Sequence, residues 1–141
     1  MELNQVTLPA MDVPTSVAFY RKMGFEPVIV GPLYARFKAT VGNSTFSLHA
    51  IEASGEAGSA PGSTASGAMP AWSKVIVYFE CAALDQQVDA LKALGLQFVQ
   101  EPRDEPWQWR EARILDPSGN ILCLYHDNLG DSRLHPPPWR G

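Results

Sequence analysis

Residues 107–126, WQWREARILDPSGNILCLYH, read as a strand, a tight polar turn and a second strand. In Asp116-Pro117-Ser118-Gly119-Asn120 every residue suits a reversal: proline fixes φ, glycine accepts positive φ, and the Asp and Asn side chains bond back to nearby amides. The far strand, Ile121-Leu122-Cys123-Leu124-Tyr125, is apolar on both faces. That pattern predicts a strand covered by helices on one side and facing a protein cavity on the other. The lining of that cavity decides the function.

Around this hairpin, the 141 residues are enough for one sizeable core and too few for two ordinary enzyme domains. Eleven basic against fifteen acidic residues give a net charge of −4, and no cluster of Lys or Arg is present to neutralise a phosphate backbone or anionic lipid. Nucleic acid and membrane surfaces are therefore not expected partners. The N-terminal MELNQVTLPAMDV has neither a basic leader nor an apolar run, and no stretch is long and apolar enough to span a bilayer, so a cytoplasmic location is expected. Cys81 and Cys123 lack the close spacing of a zinc or redox motif and are expected to be buried thiols.

Nearer the start, Leu3 to Leu8 alternates apolar and polar side chains, with Val6 and Leu8 on one face and Gln5 and Thr7 on the other. Asp12 can cap a helix in which Pro14 suits the first turn, Val13, Val17, Tyr20 and Met23 recur at helical spacing, and Gly24 ends the pattern. Phe25 to Val30, Tyr34 to Ala39 and Thr45 to Ile51 read as three further strands. Residues 54–71 are rich in Gly, Ser, Ala and Pro and are expected to form a flexible connector. After it the pattern restarts. A shift of 71 positions sets Val6 over Val77, Val17 over Val88, Gly24 over Gly95 and Val28 over Val99, and an offset of about 76 or 77 in the later strands brings Gly42-Asn43 near Gly119-Asn120. An internal duplication explains this most economically. The expected organisation is a single domain of class α+β: two βαβββ modules at about 3–53 and 74–126, then a Pro-rich arm at 127–141.

The duplication, Phe19-Tyr20 near the end of the first helix, the helix-ending glycines and the DPSGN turn together resemble the vicinal oxygen chelate superfamily. That superfamily includes glyoxalase I, extradiol dioxygenases and bleomycin-resistance proteins. The resemblance implies an incomplete eight-stranded barrel with the helices outside, a ligand on its inner face, and pairing of chains into a homodimer. In metal-dependent members, four positions on the first and last strands of the modules carry His, Glu or Gln, because oxygen and nitrogen donors must converge on one ion. Carried onto this sequence, those positions hold Gln5, Ile76, Ser47 and Cys123. Gln5 is a neutral donor, Ile76 coordinates nothing, and a two-residue slip offers only Lys74, which is normally protonated. Neither a metal nor another cofactor is expected.

His49 shares a strand face with Ser47 and is the best candidate for a catalytic or ligand-contacting group; a hydrogen bond to a sheet neighbour is the competing role. His126 has the opposite parity to Cys123 and is expected to point away from the cavity. Cys123 as a nucleophile would need a base, with His49 the one candidate, and a buried, inert thiol is the favoured reading. No GxSxG elbow, phosphate loop or HExxH motif is present.

Parity from Gln5, Thr7, Ser47 and His49 puts Tyr34, Arg36, Lys38, Tyr78, Arg113, Cys123 and Tyr125 on the inner face or at its mouth. Aromatic walls with a few donors suit a planar or anionic small molecule, and Arg36 or Arg113 can pair with a carboxylate. The bland alternative is that these arginines, at similar places in the two modules, form solvated or ion-paired faces, with Glu111 as a partner. Trp107 and Trp109 form a rigid edge that stacks on a ligand, locks down a loop over Glu101 to Pro106, or packs against the arm from Leu134 to Arg140. Two functions follow. One is a metal-independent protein sequestering a small organic molecule; the other is a lyase, isomerase or dioxygenase-type enzyme with a degenerate metal site or with His49 as general base.

Overall fold

The computed structural model describes residues 1–51 and 75–131. The connector expected at 54–71, Lys74 and the arm from 132 onward lie outside the described residues. Among the described residues two βαβββ modules are present, each a four-stranded sheet with one helix. The chain divides into two compact units, Met1–Val75 with Leu115–Ile121, and Ile76–Ile114 with Leu122–Gly141.

In the first unit the order along the chain is β1 (Gln5–Ala10), α1 (Val13–Lys22), β2 (Pro27–Val30), β3 (Tyr34–Lys38) and β4 (Thr45–Ala50). The sheet runs β1-β4-β3-β2, with β1 parallel to β4 and the other pairs antiparallel. Asp12 caps α1, its Oδ1 accepting from the Thr15 amide at 3.4 Å, and Gly24 ends the helix region at φ +101°. Val13, Val17, Tyr20 and Met23 are all buried, as the helical spacing predicts. They meet the even-numbered side of β4 and the odd-numbered side of β3. The cross-strand pair Phe37 and Phe46 stacks at 5.1 Å between centroids, and Tyr20 and Phe25 each pack 5.1 to 5.5 Å from one of these rings. Phe25 thus belongs to the aromatic core before β2 rather than to the strand that its sequence suggests.

The second unit repeats the pattern with β5 (Ile76–Glu80), α2 (Leu84–Ala93), β6 (Phe98–Asp104), β7 (Trp109–Leu115) and β8 (Ile121–Asp127), the last beginning one residue before the unit boundary. Its sheet runs β5-β8-β7-β6. Leu84, Val88 and Leu91 give α2 its buried stripe, and Gly95 follows at φ +92°. The expected loop at Glu101 to Pro106 is instead strand as far as Asp104. Pro102 is tolerated because β6 is an edge strand whose register shifts between Gln100 and Arg103. The reversal into β7 is short: the Glu105 amide donates to the Trp109 carbonyl at 2.8 Å and the Gln108 amide to the Glu105 carbonyl at 3.0 Å. Gln108 sits there at φ +71°, the one non-glycine with positive φ among the described residues.

The DPSGN segment is a turn as expected, but it packs within the first unit. Asp116 Oδ1 accepts from the Ser118 and Asn120 amides at 2.9 Å each, and Gly119 supplies φ +83°. The Asn120 side-chain amide donates to the Pro9 carbonyl at 2.9 Å, and the Met11 amide donates to Ser118 Oγ at 2.8 Å. Asp116, Ser118 and Asn120 are buried, and these bonds satisfy them.

Candidate functional site

In the first unit, strand register fixes what shares the face away from α1. Thr7 pairs with Ser47 and Pro9 with His49 across β1 and β4; Tyr34 pairs with His49, Arg36 with Ser47 and Lys38 with Thr45 across β3 and β4. The side chains of Gln5, Thr7, Tyr34, Arg36, Lys38, Ser47 and His49 therefore share one side, as parity predicts. Most of them form one hydrogen-bonded network. Gln5 Nε2 donates to Ser47 Oγ at 3.1 Å and, at 3.5 Å, to Tyr34 Oη. Thr7 Oγ1 and Ser47 Oγ lie 2.7 Å apart, and Arg36 Nε donates to Tyr34 Oη at 3.0 Å. Thr45 Oγ1 donates to Gln5 Oε1 at 3.0 Å. Thr45 was missed by the sequence reading, although its alternation with Ser47 and His49 carried the signal.

The hydrogen bond with Ser47, helped by Arg36 and Gln5, lowers the Tyr34 phenol from its usual range against an opposing effect of burial. His49 is exposed at the rim of this face, across from Tyr34. Among the described residues its imidazole has no hydrogen-bond partner.

The second unit presents a different surface. Trp109 and Tyr125, on neighbouring strands, stack at 4.2 Å with an interplanar angle of 19°, and Tyr78 meets both edge-on at 5.9 and 6.0 Å. Beyond the rings lies Glu111, wholly buried, whose Oε1 accepts from Trp107 Nε1 at 2.6 Å and whose Oε2 lies 3.5 Å from Arg113 Nη2. The pairing of Arg113 with Glu111 is thus present. Arg36 has no part in it. Trp109 is part of β7 and stacks on Tyr125, while Trp107 lies in the turn before it, part-exposed and tied to the Glu111 carboxylate; the segment that one of the alternatives had them lock down is strand as far as Asp104. Glu111 itself escaped the sequence reading as a site residue, yet it alternates with Trp109 and Arg113 on β7.

Cys123 is fully buried beside these groups. Burial first, and then the Glu111 carboxylate, push its thiol up to about 12, so it is protonated and non-nucleophilic at neutral pH. Cys81 is half-buried, and both cysteines are free. His126 points off this surface, its Nδ1 lying 3.2 Å from the Cys81 carbonyl oxygen. Among the described residues no three of His, Cys, Asp and Glu gather into a metal-binding group, and no helix is long and apolar enough to cross a membrane.

The model of the Glyoxalase/Bleomycin resistance protein/Dioxygenase superfamily matches residues 2–124. The chain belongs to this superfamily. Its fold is similar to that of a glyoxalase/bleomycin resistance protein/dioxygenase from Nocardioides, with a TM-score of 0.72 and 22% identity over 100% of this chain and 90% of that one. A family enzyme from Burkholderia phytofirmans PsJN superposes with a TM-score of 0.67 at 25% identity, over 90% of this chain and 99% of the other. A bleomycin-binding protein complexed with bleomycin has a TM-score of 0.64 and 20% identity, over 89% and 98% of the respective chains. No curated protein matches the sequence.

Proposed function

We propose that this superfamily member binds a small, planar or anionic organic molecule without a metal, each module by itself presenting a candidate face, polar in the first and aromatic and cationic in the second. The observation that carries the reading is the hydrogen bond from Thr45 Oγ1 to Gln5 Oε1. Oε1 is the atom through which a glutamine would ligate a cation, and here it accepts from Thr45 while Nε2 turns to Ser47 and Tyr34. A divalent ion at this position would have to displace that network and would gain no carboxylate in return. In the other module Ile76 offers no donor, and Cys123 is a buried thiol. The residues at the metal positions do not fit a divalent cation. The bleomycin-binding relative supports small-molecule capture as a use of this fold, and pairing of chains into a homodimer is part of the proposal.

The test is elemental analysis of the purified protein, together with ligand-induced thermal shifts before and after chelation. The expected result is substoichiometric metal and shifts that chelation leaves unchanged. About one tightly held transition metal per chain, or shifts abolished by chelator, overturns the proposal.

A second reading, an enzyme using His49 as general base, is favoured by the exposed imidazole across the strand pair from the Arg36-bonded phenol of Tyr34. His49→Gln should then abolish turnover while preserving binding, and unchanged turnover sinks the assignment.

A further inference from the structure

The two arginines of the candidate faces are not equivalent. Arg36 Nε is committed to Tyr34 Oη at 3.0 Å, and its guanidinium carbon lies 5.7 Å from the centroid of the same ring. Among the described residues, Arg113 makes a long contact, 3.5 Å from Nη2 to Glu111 Oε2, and its Nε is buried without a hydrogen-bond partner. A buried guanidinium N–H without an acceptor is uncommon, because its lost hydration is normally replaced by a hydrogen bond. The Arg113 side chain nonetheless stays 29% exposed, so a solute can reach its remaining donors.

Around it, charge and shape point the same way. Arg113 alternates with Trp109 and Glu111 on β7, beside the β8 strand that carries Cys123 and Tyr125, so the guanidinium and the ring stack belong to one sheet face. Tyr78 is 43% exposed, while Tyr125 beneath the stack is buried, so the rings offer an outer aromatic surface on a fixed base. Glu111 is committed on Oε1 to Trp107 at 2.6 Å, which leaves Arg113 with a poorly placed counter-charge instead of the two parallel bonds a guanidinium can make.

We propose that Arg113 is the anchor for the carboxylate of a planar aromatic monoacid whose ring lies against the Tyr78, Trp109 and Tyr125 cluster. The carboxylate oxygens take protons from the Nη groups of the guanidinium, which Glu111 leaves poorly paired. The buried Glu111 carboxylate orients the guanidinium and, being negative, selects against ligands with a second charge close by. The inference rests on the reading of the chain as a small-molecule-binding protein and narrows it to one ligand class.

Calorimetric titration with naphthoate and with its neutral isostere naphthamide tests it, on the wild type, Arg113→Gln and Arg113→Lys. Naphthoate should bind about tenfold or more tighter than naphthamide to the wild type. Arg113→Gln should bring naphthoate to the level of the amide while leaving amide binding intact, which also shows that the variant folds. Arg113→Lys should recover part of the preference, because it keeps the charge without the fork. Equal binding of acid and amide to the wild type, or a preference that survives in Arg113→Gln, overturns the anchor and leaves the binding reading standing. If neither probe binds but thermal shifts reveal non-aromatic ligands, the aromatic class falls alone. If no ligand of any class gives a shift, both fall together.

Discussion

Tyr20 Oη donates to Asp116 Oδ2 at 2.7 Å, joining α1 to a turn 96 residues further along the chain. Both groups are buried, and the same carboxylate also accepts from the Ser118 and Asn120 amides and from Asn120 Nδ2. Charge-assisted bonds of this kind are worth about 1.5 to 3 kcal/mol, because deleting the donor leaves a carboxylate oxygen short of a partner. Tyr20→Phe should therefore lower stability by about 2 kcal/mol in urea denaturation, with the m-value unchanged. A loss within about 0.5 kcal/mol of zero, the range of ordinary surface substitutions, would show that the bond does not hold the turn.

The same phenol should be a late titrator. Burial, and then the Asp116 charge, raise Tyr20 well above its usual range, whereas Tyr34 is lowered by its bond with Ser47. A raised folded-state value means that the native chain keeps a proton the unfolded chain loses. The Tyr20 contribution is therefore complete below about pH 10 and declines as pH rises beyond it. Phenolate absorbance in a pH titration should show a step below pH 10 that disappears in Tyr34→Phe, and a step that is delayed until the protein unfolds and disappears in Tyr20→Phe. Simultaneous ionisation of the two would contradict both environments.

The duplication was legible because it is written in residues that cannot be exchanged cheaply. Gly24 and Gly95 occupy φ +101° and +92°, Gly42 and Gly119 occupy +79° and +83°, and Val17 and Val88 are buried at matching helix positions. Strand parity likewise placed Gln5, Tyr34, Arg36, Ser47 and His49 on one face. What parity does not carry is the pairing among those side chains, so the closing of Gln5 Oε1 by Thr45 and the burial of Glu111 under Trp107 were invisible. The β6 strand was hidden for another reason. Pro102 and Pro106 read as loop residues, and nothing local announces that Pro102 will lie on a sheet edge beside a register shift, where a missing N–H costs little.

Gln108 offers a stabilising substitution. Its φ of +71° closes the turn between β6 and β7, and a side chain bearing Cβ costs about 1 to 2 kcal/mol in that conformation. Gln108→Gly removes this strain but adds unfolded-chain entropy, a penalty of about 0.5 to 1 kcal/mol. The difference should raise stability by about 0.5 to 1 kcal/mol, or about 2 to 3 °C in midpoint for a chain of this size. The side chain's own bond, 3.4 Å from Nε2 to the exposed Pro106 carbonyl, is too weak to reverse the sign. A lower midpoint in a thermal scan would refute this account of the turn.

Glu111→Gln should act on stability and on a thiol together. The change removes the charge accepting from Trp107 Nε1 at 2.6 Å and leaves Arg113, 3.5 Å away, without a counter-charge. The fully buried position makes a loss of about 2 kcal/mol the expected outcome of urea denaturation. Cys123 reports the same substitution independently. Its thiol stands at about 12, with burial the larger cause and Glu111 the next. Removing the carboxylate should lower that value without returning it to the free-cysteine range, because burial remains. In wild type the native state keeps the thiol proton from about pH 8.5 upward while the unfolded chain loses it, so this contribution to stability drains away as pH rises from there toward 12. In Glu111→Gln the drain should end at a lower pH. Thiolate absorbance and stability against pH, both measured in a Cys81→Ser background, check the two halves, and a Cys123 titration identical in the two proteins would show that Glu111 does not act on the thiol.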